Sequence, residues 1–284
     1  MKICVAGLGL IGGSMCMSLK RAGYAVDGWN RSEKPLAYAL ERGIIDGAAE
    51  NFTGYDVVFV ALPPEATIDF INATSFKTGA IVADICGVKR WIEEEVNKLT
   101  RTFRYVGCHP MAGKEVSSVF NATETLFDSA SMVISLAENT DADALETIRE
   151  LTKAMGFARI VECSAEVHDR KIAYTSQLAH VLSNAYVKDC DLDGCLGFTG
   201  GSFQDMTRIA GVDENVWASL YLRNAENLSE KISSLVSSLE EIRKAVESGD
   251  KTALTQVLRR GRKLFEADKE KSYKNQKVSV KYLK

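Results

Sequence analysis

The chain is 284 residues long and 46% hydrophobic, enough for one large domain or two modest ones around proper cores. A formal charge of −3 excludes a protein that coats nucleic acid, because binding phosphates takes a basic footprint, and points instead to a small-molecule partner. Seven cysteines (Cys4, Cys16, Cys86, Cys108, Cys163, Cys190, Cys195) are scattered singly without a C-x-x-C pair; they fit neither a disulfide framework nor a zinc site, so no metal is expected and the cytoplasm is the expected compartment.

The amino terminus, a lysine followed by an apolar run, has the outline of a signal peptide. Its glycines, however, fall at the spacing of a nucleotide-binding turn, and no stretch of about 18 uninterrupted apolar residues is present to span a bilayer, so no membrane association is expected. "KICVAG" predicts a first strand. Gly7, Gly9 and Gly12 follow it as G-x-G-x-x-G, with Leu10 and Ile11 between, and a helix-like segment comes next. That order lets backbone amides and a helix N-terminus face a pyrophosphate. The second β-run, "AVDGW", leads into Asn30, Arg31 and Ser32. An NAD site usually ends this strand with a carboxylate for the ribose 2′-hydroxyl; Arg31 would instead attract a 2′-phosphate, and Asn30 and Ser32 can add hydrogen bonds. NADP is the preferred cofactor. An arginine stacked on the adenine would serve either one, so NAD stays open.

Five more β-runs continue the alternation: "DVVFVAL", "AIVADIC", "RYVGC", "SMVISL" and "ARIVEC", with helix-like stretches at 34–42, 64–74, 88–98 and 142–155. Leu62 and Gly87, at the carboxyl ends of the first two, join the candidate cofactor contacts. The alternation predicts an α/β fold whose residues 1–163 form a Rossmann-like, doubly wound parallel sheet covered by helices. From 164 to 284 the β-runs stop, and helical apolar spacing over 165–190, 214–248 and 250–270 predicts an all-helical domain. Its apolar content exceeds what one helical layer buries, which predicts a homodimer through this half. The lysine-rich end, "KEKSYKNQKVSVKYLK", reads as a solvated tail.

Only three histidines occur. His109 follows the strand "RYVG", which places it at the carboxyl edge of the sheet, where open α/β sheets bind ligands, with Pro110 ending the strand beside it. A strand-end histidine is as often structural as catalytic. His168 and His180 are twelve residues apart in one helical segment and cannot both reach one small ligand. Gln177 and His180 share a helix face and can line one side of a pocket, whereas His168 reads as a cap or inter-helix bond.

"GCHPMAGKE", "HDRKIAYTSQLAH" and "GGSFQDMTRIA", in order after the glycine turn and "DICGVK", resemble the prephenate and arogenate dehydrogenases of tyrosine biosynthesis over nearly the whole chain. The resemblance implies oxidative decarboxylation of prephenate to 4-hydroxyphenylpyruvate, or of arogenate to tyrosine, with hydride passed to NADP or NAD. It implies that His109 hydrogen-bonds the substrate hydroxyl as catalytic base, that Arg208 binds a carboxylate, and that Glu115 belongs to the polar network at the substrate side chain. Lys89 and Lys114 are further candidate cations. One departure stands out: the family's D-x-G-S-V-K reads "DICGVK" here, so Gly87 replaces a serine that would contact the histidine. That hydroxyl is absent or replaced by water or a nearby side chain, and His109 is expected to be less tightly oriented. Cys86 reads as an inert buried thiol. Rival readings are a β-hydroxyacid dehydrogenase or imine reductase, and a regulator that binds a dinucleotide without chemistry.

Overall fold

The structure, a computed structural model, describes every residue except 115, 189–191, 196, 275–279 and 282–284. Strands form at each of the seven apolar runs: β1 (Ile3–Ala6), β2 (Val26–Trp29), β3 (Val57–Val60), β4 (Ile81–Asp84), β5 (Arg104–Pro110), β6 (Ser131–Ser135) and β7 (Arg159–Cys163). With a short β8 (Val280–Lys281) they make one sheet in the order β2-β1-β3-β4-β5-β6-β7-β8, parallel throughout except between β5 and β6. The strands read as unbroken apolar runs because both faces are covered. Ile3, Val5, Val57 and Phe59 pack into a core on one side with α1 (Leu10–Arg21) and α5 (Ala142–Ala154). Cys4, Ala6, Val58 and Val60 pack into a second core on the other side, with α3 (Pro64–Ala73) and α4 (Arg90–Asn97). Helix α2 (Glu33–Glu41) follows β2. The chain reverses direction across the sheet between β2 and β3, flanking β1, so the crevice for a ligand opens at the carboxyl ends of these strands.

Two strand expectations need correction. The strand carrying His109 does not stop at Gly107, because the antiparallel partner β6 continues the ladder, pairing His109 with Val133 and Pro110 with Met132. His109 still overhangs the sheet, since parallel β4 ends opposite Gly107. The carboxy-terminal segment is also more than a solvated tail. Its first part belongs to α11 (Lys251–Lys274), and Val280 and Lys281 pair with Val161 and Glu162 on the otherwise open edge of β7.

Beyond β7, α6 (Ala165–Ile172), a π-helical turn over Ala173–Gln177 and α7 (Leu178–Lys188) run on continuously. A short α8 (Gly201–Thr207), which the apolar spacing did not reveal, precedes α9 (Glu214–Arg223), α10 (Ala225–Glu247) and α11. Helix α9 is fastened to the sheet layer: Ser219 Oγ donates to Glu65 Oε2 at 2.6 Å, Arg223 Nε donates to Glu65 Oε1 at 3.0 Å, and the Arg223 guanidinium lies 3.9 Å from the centroid of a Trp91 ring. Val236, Leu239 and Val246 on α10 and Leu258, Leu264 and Phe265 on α11 are all at least half exposed. Among the described residues no helix is long and apolar enough to cross a membrane.

The loop between β4 and α4 is gripped from within. Asp84 accepts from the Lys89 ammonium, from Tyr105 OH at 2.5 Å and from the Cys86 N–H at 2.8 Å, with Asp84 and Lys89 wholly buried. Burial opposes the Lys89 charge, but the Asp84 carboxylate outweighs it and holds the ammonium above its ordinary pKa. Removing one partner leaves a buried charge unpaired, so Asp84→Ala is expected to lose about 3–5 kcal/mol in urea unfolding, with Asp84→Ala/Lys89→Met regaining most of it. An unchanged midpoint for the single variant would mean that this pair does not hold the loop.

Candidate active site

Gly7 and Gly12 are demanded by close packing. Gly7 has φ +102°, and a Cβ there would sit 2.3 Å from the Ala61 carbonyl oxygen; a Cβ on Gly12 would sit 1.9 Å from the Gly7 carbonyl oxygen. Gly9 differs: a Cβ on it would meet nothing within 4 Å. It is the N-cap of α1 and offers no side-chain cap, so the amides of Leu10 and Ile11 in the first turn are left for a ligand while their side chains pack inward. This open, amide-lined hollow fits a pyrophosphate.

A cleft of about 700 Å3 is lined by Asn30, Arg31, Ser32 and Leu62, together with the apolar Trp29, Phe52 and Phe70 and the acidic Glu50 and Asp69. Asn30 works as a strut here. Its Oδ1 accepts the Leu8 N–H at 2.9 Å and its Nδ2 donates to the Ser32 carbonyl at 3.0 Å, which ties the glycine turn to the exit of β2. Arg31 and Ser32 are exposed at the cleft.

A second cleft, of about 760 Å3, opens between β5 and the helices. Gly87, His109, Lys114, Gln177 and His180 all line it, together with Ser176, Asp213, Trp217 and Leu220. The lining takes in Ile209 and residues 211–213 but not Arg208, an exposed residue at the C-cap of α8. Lys89 is occupied by Asp84 in the interior, which leaves Lys114 as the lysine of the lining. Glu115 lies outside the described residues. The π turn places Gln177 and His180 on the same wall. Gln177 Nε2 donates to the Leu220 carbonyl at 3.1 Å and its Oε1 accepts from Asn224 Nδ2 at 2.8 Å. His180 Nδ1 lies 3.0 Å from the Ile209 carbonyl, so it is the donor, and the ring lies 3.8 Å from that of Trp217.

His168 is not a simple cap. Its Nε2 lies 2.8 Å from His109 Nδ1, and its Nδ1 lies 2.7 Å from Asp169 Oδ1. His168 is not among the residues that line the cleft, and its pairing with His109 across 59 residues is invisible to local reading. Burial, followed by the neighbouring His168 and Lys89, pushes the His109 pKa well below the ordinary histidine value. Burial also lowers that of His168, against the pull of Asp169. Both rings are therefore neutral at physiological pH. A Cβ on Gly87 would lie 3.8 Å from His109 Cε1 and 3.3 Å from Leu220, so the missing hydroxyl leaves the ring edge bare while His168 holds its Nδ1. Cys86 is buried against Thr67 Oγ1 (3.3 Å) and the Leu62 carbonyl (3.4 Å), and burial drives its thiol pKa upward, as befits an inert thiol.

Comparison with known proteins places this architecture. Residues 15–162 match the family model "Prephenate dehydrogenase, nucleotide-binding domain", and residues 164–260 match "Prephenate dehydrogenase, dimerization domain". The prephenate dehydrogenase of Lactococcus lactis subsp. cremoris (strain MG1363) is 30% identical over 94% of this chain and 77% of its own length. The crystal structure of prephenate dehydrogenase from A. aeolicus in complex with hydroxyphenyl propionate and NAD+ superposes with a TM-score of 0.85 at 25% identity, covering 94% of this chain and 98% of that one. Synechocystis arogenate dehydrogenase superposes with a TM-score of 0.77 at 26% identity, covering 95% of this chain and 99% of that one. Two family models matched in tandem, with a relative 30% identical over nearly the full chain, make this protein a member of the prephenate dehydrogenase family.

Proposed function

We propose that the protein oxidatively decarboxylates prephenate or arogenate, with hydride passed to NADP in preference to NAD, and that it does so in the cytoplasm as a homodimer joined through its helical half. One observation carries the reading: among the described residues His109 Nε2 has no protein partner, in a cleft beyond the carboxyl edge of a sheet whose first turn is shaped for a pyrophosphate. The named relatives and the ordered motifs support the substrate class. Arg31 and Ser32 at the ribose end, without a carboxylate at the β2 exit, support NADP. The apolar faces of α10 and α11 and the dimerization-domain match support the dimer, and the free, buried Cys4, Cys16, Cys86, Cys108 and Cys163 support a reducing compartment. We take residues 1–163 as the dinucleotide-binding unit and 164–284 as the substrate and dimerisation unit.

A dinucleotide held on the glycine turn and the Asn30–Ser32 segment would supply its nicotinamide as the hydride acceptor. The chain's own residues supply position and proton handling. Gly7 and Gly12 let β1 and α1 approach so that the first-turn amides converge on the pyrophosphate. His109 Nε2 takes the proton of the substrate hydroxyl as its carbinol carbon gives up hydride; the ring carboxylate then leaves as carbon dioxide, its bonding pair completes the aromatic ring, and the phenolate oxygen so formed takes the proton back from His109, which resets the base. Lys114 and His180 belong to the cleft lining, where an ammonium and a ring would be available to an anionic substrate. Arg208 and Glu115 are carried by the resemblance. Arg208 stands just before the lining segment that begins at Ile209, so a role there requires its side chain to turn toward the cleft.

Initial rates with prephenate and arogenate, each with NADP and NAD, test the reading; no nicotinamide reduction with either substrate would overturn it, and a strong NAD preference would overturn the cofactor assignment. His109→Asn is expected to lower kcat by about 10²–10⁴-fold with a smaller change in KM. Since the base acts neutral and its pKa is depressed, kcat/KM should hold steady as pH falls to about 6.5 and decline only below it, as His109 takes up a proton. Gly9→Ala has room for its methyl group and should unfold like the parent while dinucleotide affinity falls about tenfold or more. Gly12→Ala should be destabilised by about 3 kcal/mol or more in denaturant unfolding, because its methyl group meets backbone. Equal behaviour of the two variants would contradict these separate roles.

A further inference from the structure

We infer that His168 and Asp169 are positioning residues for His109: they fix its ring and select the tautomer that leaves Nε2 free to accept a proton. The inference rests on the proposed role of His109 as base and follows from donor and acceptor accounting. Asp169 Oδ1 already accepts the Lys89 N–H at 2.8 Å, and Oδ2 accepts the Arg90 N–H at 3.0 Å. An oxygen committed as an acceptor requires His168 Nδ1, 2.7 Å away, to be the donor. A neutral His168 with its proton on Nδ1 has a bare lone pair on Nε2. His109 Nδ1, 2.8 Å from that nitrogen, must then carry the proton, so His109 Nε2 is unprotonated. In solution neutral imidazole favours the opposite tautomer; here the hydrogen-bond chain reverses that choice.

The arrangement answers the glycine at position 87. Where the family pattern offers a serine hydroxyl to the histidine, this chain has no side chain, and the ring is held from its other edge by a residue of α6. His168 is 2% exposed and Asp169 is 1% exposed, so water does not compete for either bond. When His109 Nε2 takes the substrate proton, the positive charge on its ring is balanced through His168 by the Asp169 carboxylate, with no proton passed from His109 Nδ1 to His168. The charged groups facing the pair are Asp169 on α6, Lys89 at the start of α4 and Asp84 at the end of β4; Lys89 and Asp84 are paired with each other, and the Asp169 carboxylate favours positive charge on the His168 ring against the burial that lowers both histidine pKa values.

Steady-state kinetics and a double-mutant cycle test this, using the faster of prephenate and arogenate and the preferred nicotinamide cofactor. His168→Leu is expected to lower kcat about 100-fold with KM changed by about threefold at most. His168→Gln, whose amide oxygen can take the place of Nε2 as acceptor, should recover to within about tenfold of the parent. Asp169→Asn, which keeps a cap for α4, should lose about tenfold or more in kcat. In a His109→Asn background His168→Leu should cost about twofold or less, because a residue acting through His109 has nothing left to act on. Near-parental turnover of His168→Leu, equal impairment by leucine and glutamine, or losses that multiply in the double variant would each overturn the positioning role; near-parental Asp169→Asn would remove Asp169 from it. Should His109→Asn itself keep its turnover, the base assignment beneath the inference falls instead.

Discussion

The structure turns on one carboxylate. Asp169 accepts three N–H groups, two from the first backbone amides at the α4 start and one from His168, and all three donors come from segments that must meet for a site to exist. Its own backbone carbonyl accepts from Asn224 Nδ2 at 2.8 Å, which draws the junction of α9 and α10 into the same contact. A buried carboxylate of this kind is tolerable only when its lone pairs are satisfied, and satisfying them here fixes the loop from Asp84 to Arg90 against α6. Asp84 grips the same loop from the sheet side. Gly87 is thereby held between two anchored ends, against the ring of His109.

This explains why the candidate site lies where the sheet meets the helices. The sheet supplies a nucleotide crevice at the carboxyl ends of β1 and β3, and β5 outruns its parallel neighbour by pairing with β6, which carries His109 beyond the edge. The helices supply the facing wall through a π turn that brings Gln177 and His180 to one side. The cleft that holds His109 takes its lining from both halves. Their junction carries buried hydrogen bonds from the Lys89 and Arg90 amides to Asp169 and between His109 and His168, with the Glu65, Ser219 and Arg223 contacts at its more exposed rim.

The fold was legible where burial acts on both sides of an element. β1, β3 and β4 are buried at every residue, so they appear as unbroken apolar runs, and the alternation with amphipathic stretches announces a parallel sheet. Short elements were silent: α8 is seven residues long with none buried, and β8 is two residues long. At the candidate site the motifs located His109, Gln177 and His180 around one cleft, because each belongs to a local pattern. They could not show that His168 reaches His109 or that Asn30 braces the glycine turn. Those partnerships join residues 59 and 22 positions apart, and only the packed fold creates them. An adjacent histidine and aspartate at a helix start, opposite a site whose usual hydroxyl is missing, was the one available signal. Arg208 shows the converse: a motif can name a residue whose side chain the fold leaves outside the cleft lining.

The account depends on a proton sitting on one ring nitrogen and not the other, and the chain is well suited to seeing it because it holds only three histidines. Nitrogen NMR of the protein labelled with 15N-histidine at neutral pH, with His109 assigned by its loss in His109→Asn, reads the tautomer directly. The expected spectrum shows His109 neutral, with its proton on Nδ1 and a bare Nε2. A His109 ring protonated on Nε2, or on both nitrogens, would contradict the account.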